Sequence, residues 1–144
     1  MYTVLLEFQQ IENNRWKYVN GEGLAGGKAE PSPQNPVYMH PDSPNFGSHW
    51  QREAVTFAKV KLTNNNMDQA GHIILTSMHK YHVRLHLVAA QDMFSLQMGH
   101  YHTFPFPQTK FLGVTAYQNE RITQLKIDDN PFAKGFRDCD PEDW

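Results

Sequence analysis

Near its end the chain carries residues whose types and spacing suit the gripping of a stacked polyanion. Phe132 and Phe136 lie four apart on a short turn that Pro131 is suited to open, so the two rings share one face. Lys126, Lys134 and Arg137 flank them, and Lys134 points away from the rings. Cations beside aromatic wedges are what a minor-groove binder needs: the cations hold phosphates, while the rings enter the shallow groove and press on sugars or part a base step. The same residues have a plainer reading, in which Phe132 and Phe136 plug the core from a C-terminal helix. Spacing alone favours that second reading, because aromatic residues near a terminus usually pack.

Other reactive residue types do not assemble into a site. The closest of the eight histidines are His100 and His102, and His79 and His82; no cysteine or carboxylate stands at a zinc-like spacing from either pair. His86 lies in an alternating strand and reads as structural, and the cluster His40, Pro41, Asp42, Pro44 reads as a turn. There is no nucleophile elbow and no glycine-rich phosphate loop. Cys139 sits among carboxylates, which disfavour its thiolate. The expectation is no enzyme activity, no metal and no cofactor.

Charge is distributed unevenly. The 144 residues sum to −2, unlike the basic balance typical of a nucleic-acid binder. Residues 1–58 sum to −2, residues 59–137 to +4, and the tail 138–144 to −4, so an acidic tail masks a basic second half. One cysteine excludes an internal disulfide and fits a reducing compartment. No apolar run approaches the roughly 20 residues of a membrane span, and the start MYTVLLEF lacks the pattern of a secretory signal.

The elements that must position these residues read mostly as short strands. Strand patterns cover Thr3–Phe8, Trp16–Val19, Ala54–Leu62 (with a shift of phase that suggests a bulge), His72–Thr76, Val83–Ala89 and Phe111–Ala116. In Val83–Ala89 the residues Val83, Leu85 and Leu87 alternate with Arg84, His86 and Val88. The Gly- and Pro-rich stretch Gly21–Pro44 reads as long ordered loops. Asn119 is a good N-cap for a helix over Glu120–Ile127 whose apolar face is Ile122 and Leu125. Many short strands point to an antiparallel sandwich or barrel. Met1 runs into its first strand without a lead-in, as if the chain begins inside a domain.

The segment VTAYQNERITQLKIDDNPFAKGFRD (114–138) resembles the C-terminal signature of the T-box family, and three further segments resemble family motifs in the same order: VYMHPDSPNFGSHW (37–50), FAKVKLTNNN (57–66) and ILTSMHKYHVRLHLV (74–88). RWKYVNGE (15–22), followed by Gly26, Gly27 and Lys28, is most similar to the Brachyury branch. The resemblance implies a mainly β chain, an immunoglobulin-like antiparallel β-sandwich with short C-terminal helices. It divides the chain into a T-box DNA-binding domain, 1–137, lacking its N-terminal strand region, and an acidic tail, 138–144. It implies a nuclear transcription factor that binds double-stranded DNA at a T-site with a GGTGTGA-like core, its C-terminal helix in the minor groove. By position Phe132 and Phe136 match the family's minor-groove aromatics, Thr123, Lys126 and Lys134 match residues on or beside the DNA-facing helices, and Arg137 matches an arginine near the phosphates. The implied partners are DNA, a second copy on palindromic sites, and other transcription factors. Three departures bear on this. The family pattern starts upstream of Met1 with a stretch that includes a guanine-reading arginine, which leaves as the alternative a truncated T-box fragment that acts as a protein-interaction module with weak or non-specific DNA binding. Gly23 and Gln51 stand where the Brachyury branch usually has Trp and Met. Asp128 and Asp129 put negative charge beside the DNA-facing turn.

Overall fold

Strand β1, Thr3–Ile11, has the sequence TVLLEFQQI, in which apolar residues fall on both faces at its start. Val4, Leu6 and Phe8 are buried on one face, and Thr3 and Leu5 on the other. Such a strand must sit inside a sheet with both faces covered. The computed structural model, which describes residues 1–12, 14–19, 22–29, 35–89, 101–115, 119–130 and 132, shows β1 in that place. Beyond it follow β2 (Asn14–Val19), β3 (Glu22–Lys28), β4 (Val37–Met39), α1 (Gly47–Arg52), β5 (Leu62–Thr63), β6 (Ile73–Ile74), β7 (Lys80–Val88) and β8 (Tyr101–Leu112). Residues up to Gly113 form one compact unit; those from Val114 onward form a second, which contains α2 (Glu120–Asp129). The chain is mainly β, with antiparallel sheets and few short helices, in keeping with the immunoglobulin-like expectation.

The principal sheet has the order β4–β1–β7–β8. β1 and β7 are antiparallel in unbroken register from Thr3 opposite Val88 to Ile11 opposite Lys80. Leu6, Phe8, Ile73, Leu75 and Tyr81 form the core on one face, with Tyr38, Phe57, Val60, Val83 and Phe111 packed against them. On the opposite face Leu5 and Val88, each 1% exposed, lie beside His86. His86 is held by Thr103 Oγ1 at 2.8 Å and by Glu7 Oε2 at 3.4 Å, and Arg84 grips the other oxygen of Glu7. This pairing removes most of the cost of burying charged groups there.

Several expectations are corrected. Of the Ala54–Leu62 segment only Leu62 is strand, the first residue of β5. Val55 and Leu62 are exposed, while Phe57 and Val60 reach the core from irregular backbone, so side-chain burial without a ladder produced the strand-like pattern. Leu62–Thr63 pairs in parallel with Ile73–Ile74, the strand part of His72–Thr76. The stretch read as loops holds two strands: β3, which forms a hairpin with β2, and β4 on the edge of the main sheet. In β7 the burial is not that of one apolar face, because His86 and Val88 are buried on the face assigned as polar.

The final strand starts ten residues before the expected position and ends at Leu112 rather than Ala116. Pro105 and Pro107 disguise it. The N–H of Val83 donates to Thr109 Oγ1 on β8, so the odd-numbered backbone groups of β7 turn toward β8. Phe104 and Phe106, opposite Leu85 and Val83, therefore face β7, and Pro105 between them faces the outer edge, while Pro107 falls where the register of β7 and β8 shifts. An edge strand tolerates proline there because no ladder hydrogen bond is lost.

The HPDSP loop is tied down by His40, which is 8% exposed. Its Nδ1 accepts the Asp42 N–H at 3.1 Å and its Nε2–H donates to the Thr56 carbonyl at 3.0 Å. The Trp50 indole donates to the Tyr2 carbonyl at 3.2 Å, fixing α1 to the start of the chain. Glu12, at the far end of β1, meets Lys110 at 2.9 Å and Lys80 at 3.6 Å, and Lys80 lies 3.5 Å above the Trp16 ring of the β2–β3 hairpin.

Two measurements check this arrangement. Leu5→Ala should cost about 2–5 kcal/mol in urea unfolding, whereas Val55→Ala, at an exposed position, should stay within roughly 0.5 kcal/mol of the parent. The hydrogen bond from Lys110 holds the Glu12 carboxyl below its ordinary value of 4.5. That contribution is present above the unfolded pKa and fades as pH falls through the folded one. Glu12→Gln should therefore flatten the acid side of the stability profile; an unchanged profile would dissociate Glu12 from it.

Candidate nucleic-acid interface

Helix α2 is made by its ends. Asn119 has an extended backbone and its side-chain oxygen accepts the Arg121 N–H at 2.9 Å and the Ile122 N–H at 3.3 Å. Those are two of the four donors that a helix start leaves without a partner. Glu120 in the first turn suits the positive end of the helix dipole. The helix runs two residues beyond the expected end at Ile127. It closes where the backbone N–H of Asn130 bonds the Lys126 carbonyl at 2.9 Å.

The apolar face expected from Ile122 and Leu125 is not the covered one. Ile122 is 50% exposed and Leu125 60%, while Thr123, Ile127 and Asn130, spaced four and three apart, are half-buried. Helical spacing finds stripes of side chains, and here the more sheltered stripe mixes one apolar with two polar residues.

Three of the expected site residues lie in the described part. The Thr123 hydroxyl donates to the Asn119 carbonyl at 3.1 Å, so its proton is spent within the helix and only its lone pairs face outward. To donate to a phosphate it must rotate away from that carbonyl. Lys126 is exposed in the last turn. Phe132 is 45% exposed, just beyond the helix. Lys134, Phe136 and Arg137 lie outside the described residues.

The sequence reading left out two groups on α2. Arg121 is exposed in the first turn. Gln124 donates to Asp128 at 2.9 Å, which occupies one of the two carboxylates noted as unfavourable to phosphate. Glu120, Asp128 and Asp129 still outnumber Arg121 and Lys126, so α2 by itself does not present a basic surface. Among the described residues no three His, Cys, Asp or Glu side chains come together to hold a metal ion. Several described histidines make contacts within the fold: His72 holds Asp68 at 2.9 Å across the 64–71 loop, and His82 meets Gln9 at 2.6 Å.

Comparison with known proteins places the chain. A family model described as T-box matches residues 1–138. The chain belongs to the T-box family. It is 59% identical over 139 residues to the T-related protein of Drosophila melanogaster, covering 96% of this chain and 19% of that protein. It is 55% identical over 139 residues to T-box transcription factor T of Xenopus laevis, covering 96% and 31%. The T-box protein VegT of Xenopus tropicalis is 53% identical over 137 residues, covering 95% and 30%. The chain thus spans between a fifth and a third of the length of these relatives.

Asn119→Ala should cost about 1 kcal/mol of helix stability. Amide exchange at Arg121 and Ile122 should speed up, with the β1 amides unchanged; equal change in both would mean that Asn119 is not a local cap.

Proposed function

We propose that this chain is the sequence-specific DNA-binding domain of a nuclear transcription factor that regulates development, recognising double-stranded DNA at a T-site with a GGTGTGA-like core. The T-box match over residues 1–138, nearly the whole chain, is the observation that carries the reading. The C-terminal helix and the turn after it lie in the minor groove. Phe132 and Phe136 press on the sugars and bases there, while Thr123, Lys126, Lys134 and Arg137 hold phosphates. The balance of charge on α2 supports a division of labour. Affinity needs cations, and α2 has fewer of them than carboxylates, so Lys134 and Arg137 supply the larger share of the phosphate contacts. A second copy on palindromic sites and other transcription factors are the further partners of this reading.

The same charge balance favours, as a second reading, a domain that engages proteins and holds DNA weakly. Fluorescence anisotropy against a T-site duplex and a scrambled duplex at two salt concentrations separates the two. Tight, salt-sensitive binding that prefers the T-site supports the first reading. Salt-sensitive binding without preference means the phosphate contacts exist without sequence reading, and no binding to either duplex leaves the protein-binding reading. Lys126→Ala should reduce the slope of log affinity against log salt by about 0.9, the value for one phosphate contact on duplex DNA. Phe136→Ala should weaken binding with little change in melting temperature; if it unfolds the domain, Phe136 is a core residue and the wedge assignment fails.

A further inference from the structure

Phe132 follows a helix that has already ended, across the Asn130–Pro131 step, and its own backbone is that of a 3-10 turn, whose opening donors need an acceptor from outside the turn. The backbone N–H of Asn130 closes α2 on the Lys126 carbonyl at 2.9 Å. Its side-chain Oδ1 then accepts the N–H of Phe132 at 2.9 Å. One residue thus faces both ways: its main chain ends the helix, and its side chain holds the next exposed aromatic two positions on, in an Asx turn. Asn130 is half-buried, whereas Phe132 is 45% exposed. The sheltered side chain is the anchor and the exposed ring is what it presents.

We infer that Asn130 is the positioning residue for Phe132, fixing the ring relative to α2 and so to Lys126, and that it contributes to DNA binding through Phe132 rather than by touching DNA itself. The DNA part of this inference rests on the function proposed above; the positioning part does not. An exposed aromatic chain left free must be ordered when it enters a groove, and that ordering opposes binding. A hydrogen bond made beforehand removes part of that cost, so the effect of Asn130 appears as affinity even without a contact.

The two contacts of Asn130 can be separated by substitution. Asn130→Ala keeps the backbone N–H that caps α2 and deletes only the acceptor for Phe132. Helix content by circular dichroism should therefore be unchanged, while amide exchange at Phe132 should accelerate by roughly five-fold, the equivalent of one ordinary hydrogen bond. Asn130→Asp retains the acceptor and should restore the protection. If the Phe132 amide exchanges at the parental rate in Asn130→Ala, the positioning role is overturned, whatever the domain does with DNA. On the T-site duplex, Asn130→Ala should weaken binding about five-fold with the salt slope unchanged, because no phosphate contact is lost. The double variant Asn130→Ala, Phe132→Ala should bind no more weakly than Phe132→Ala alone. Additive losses would mean that Asn130 meets DNA directly and would overturn the inference. Accelerated exchange at Phe132 together with no T-site binding by the parent protein would sustain the local role, overturn the contribution to DNA binding and count against the proposed function.

Discussion

The unbroken pairing of β1 with β7 is the constraint on which the first unit depends. Nine consecutive residue pairs lock the two strands so that neither can slip by one position without turning Leu6, Phe8 and Tyr81 out of the core. β4 is added to the free side of β1, and β8 to the free side of β7. The loop after β4 is held by His40, and α1 by Trp50 on Tyr2, just ahead of β1. At the other end of the pair Glu12 and Lys80 reach β8 and the β2–β3 hairpin. Ile73 of β6 and Leu75 just after it pack instead on the core face of the two strands.

The polar groups of the sheet fit the same plan. Glu7, Arg84, His86 and Thr103 form a connected row on the face opposite the core, two of them on the central strand β7 and one on β1. Registering β1 against β7 brings the carboxylate opposite the guanidinium, and registering β7 against β8 brings the hydroxyl opposite the imidazole. His86 is buried, and Glu7 and Arg84 are half-buried, where the register lets each find a partner; a slip would strand a charge in a less polar setting at a higher cost than that of a surface pair.

How far the sequence could be read followed from how local the determining interaction was. The helix at Glu120 was legible because its cap, Asn119, acts on donors two and three residues away. β1 and β7 were legible from alternation and apolar content. β8 was hidden by Pro105 and Pro107, since nothing in a single sequence says that a strand will lie at an edge, turn one proline outward and carry the other where its register shifts. The burial of His86 and Val88 was hidden for a related reason, because a second covered face depends on partners from distant strands. Phe57 and Val60 misled in the opposite sense: they enter the core from backbone without a ladder, and the alternation they create is accidental. Of the candidate site, the capped helix was visible in composition and spacing, whereas the cations and the two aromatics were picked out by the family resemblance, since spacing alone favoured packing for the rings. The hydrogen bond that holds Thr123 to Asn119 and the turn that holds Phe132 to Asn130 were not, because each depends on a backbone geometry that residue types only permit.

The prolines of β8 also determine how copies of the domain behave at high concentration. An open sheet edge offers a row of donors and acceptors, and a neighbouring chain that meets a complete row can extend the sheet without limit. On β8 the outward donor at Pro105 is missing, and Pro107 falls where the register shifts, so a strand laid along that edge among the described residues meets a gap and then an irregularity. The exposed rings of Phe104 and Phe106 stand on the same strand and would make such growth attractive on hydrophobic grounds alone. The edge therefore keeps its apolar surface while offering a neighbouring strand an incomplete row of backbone donors.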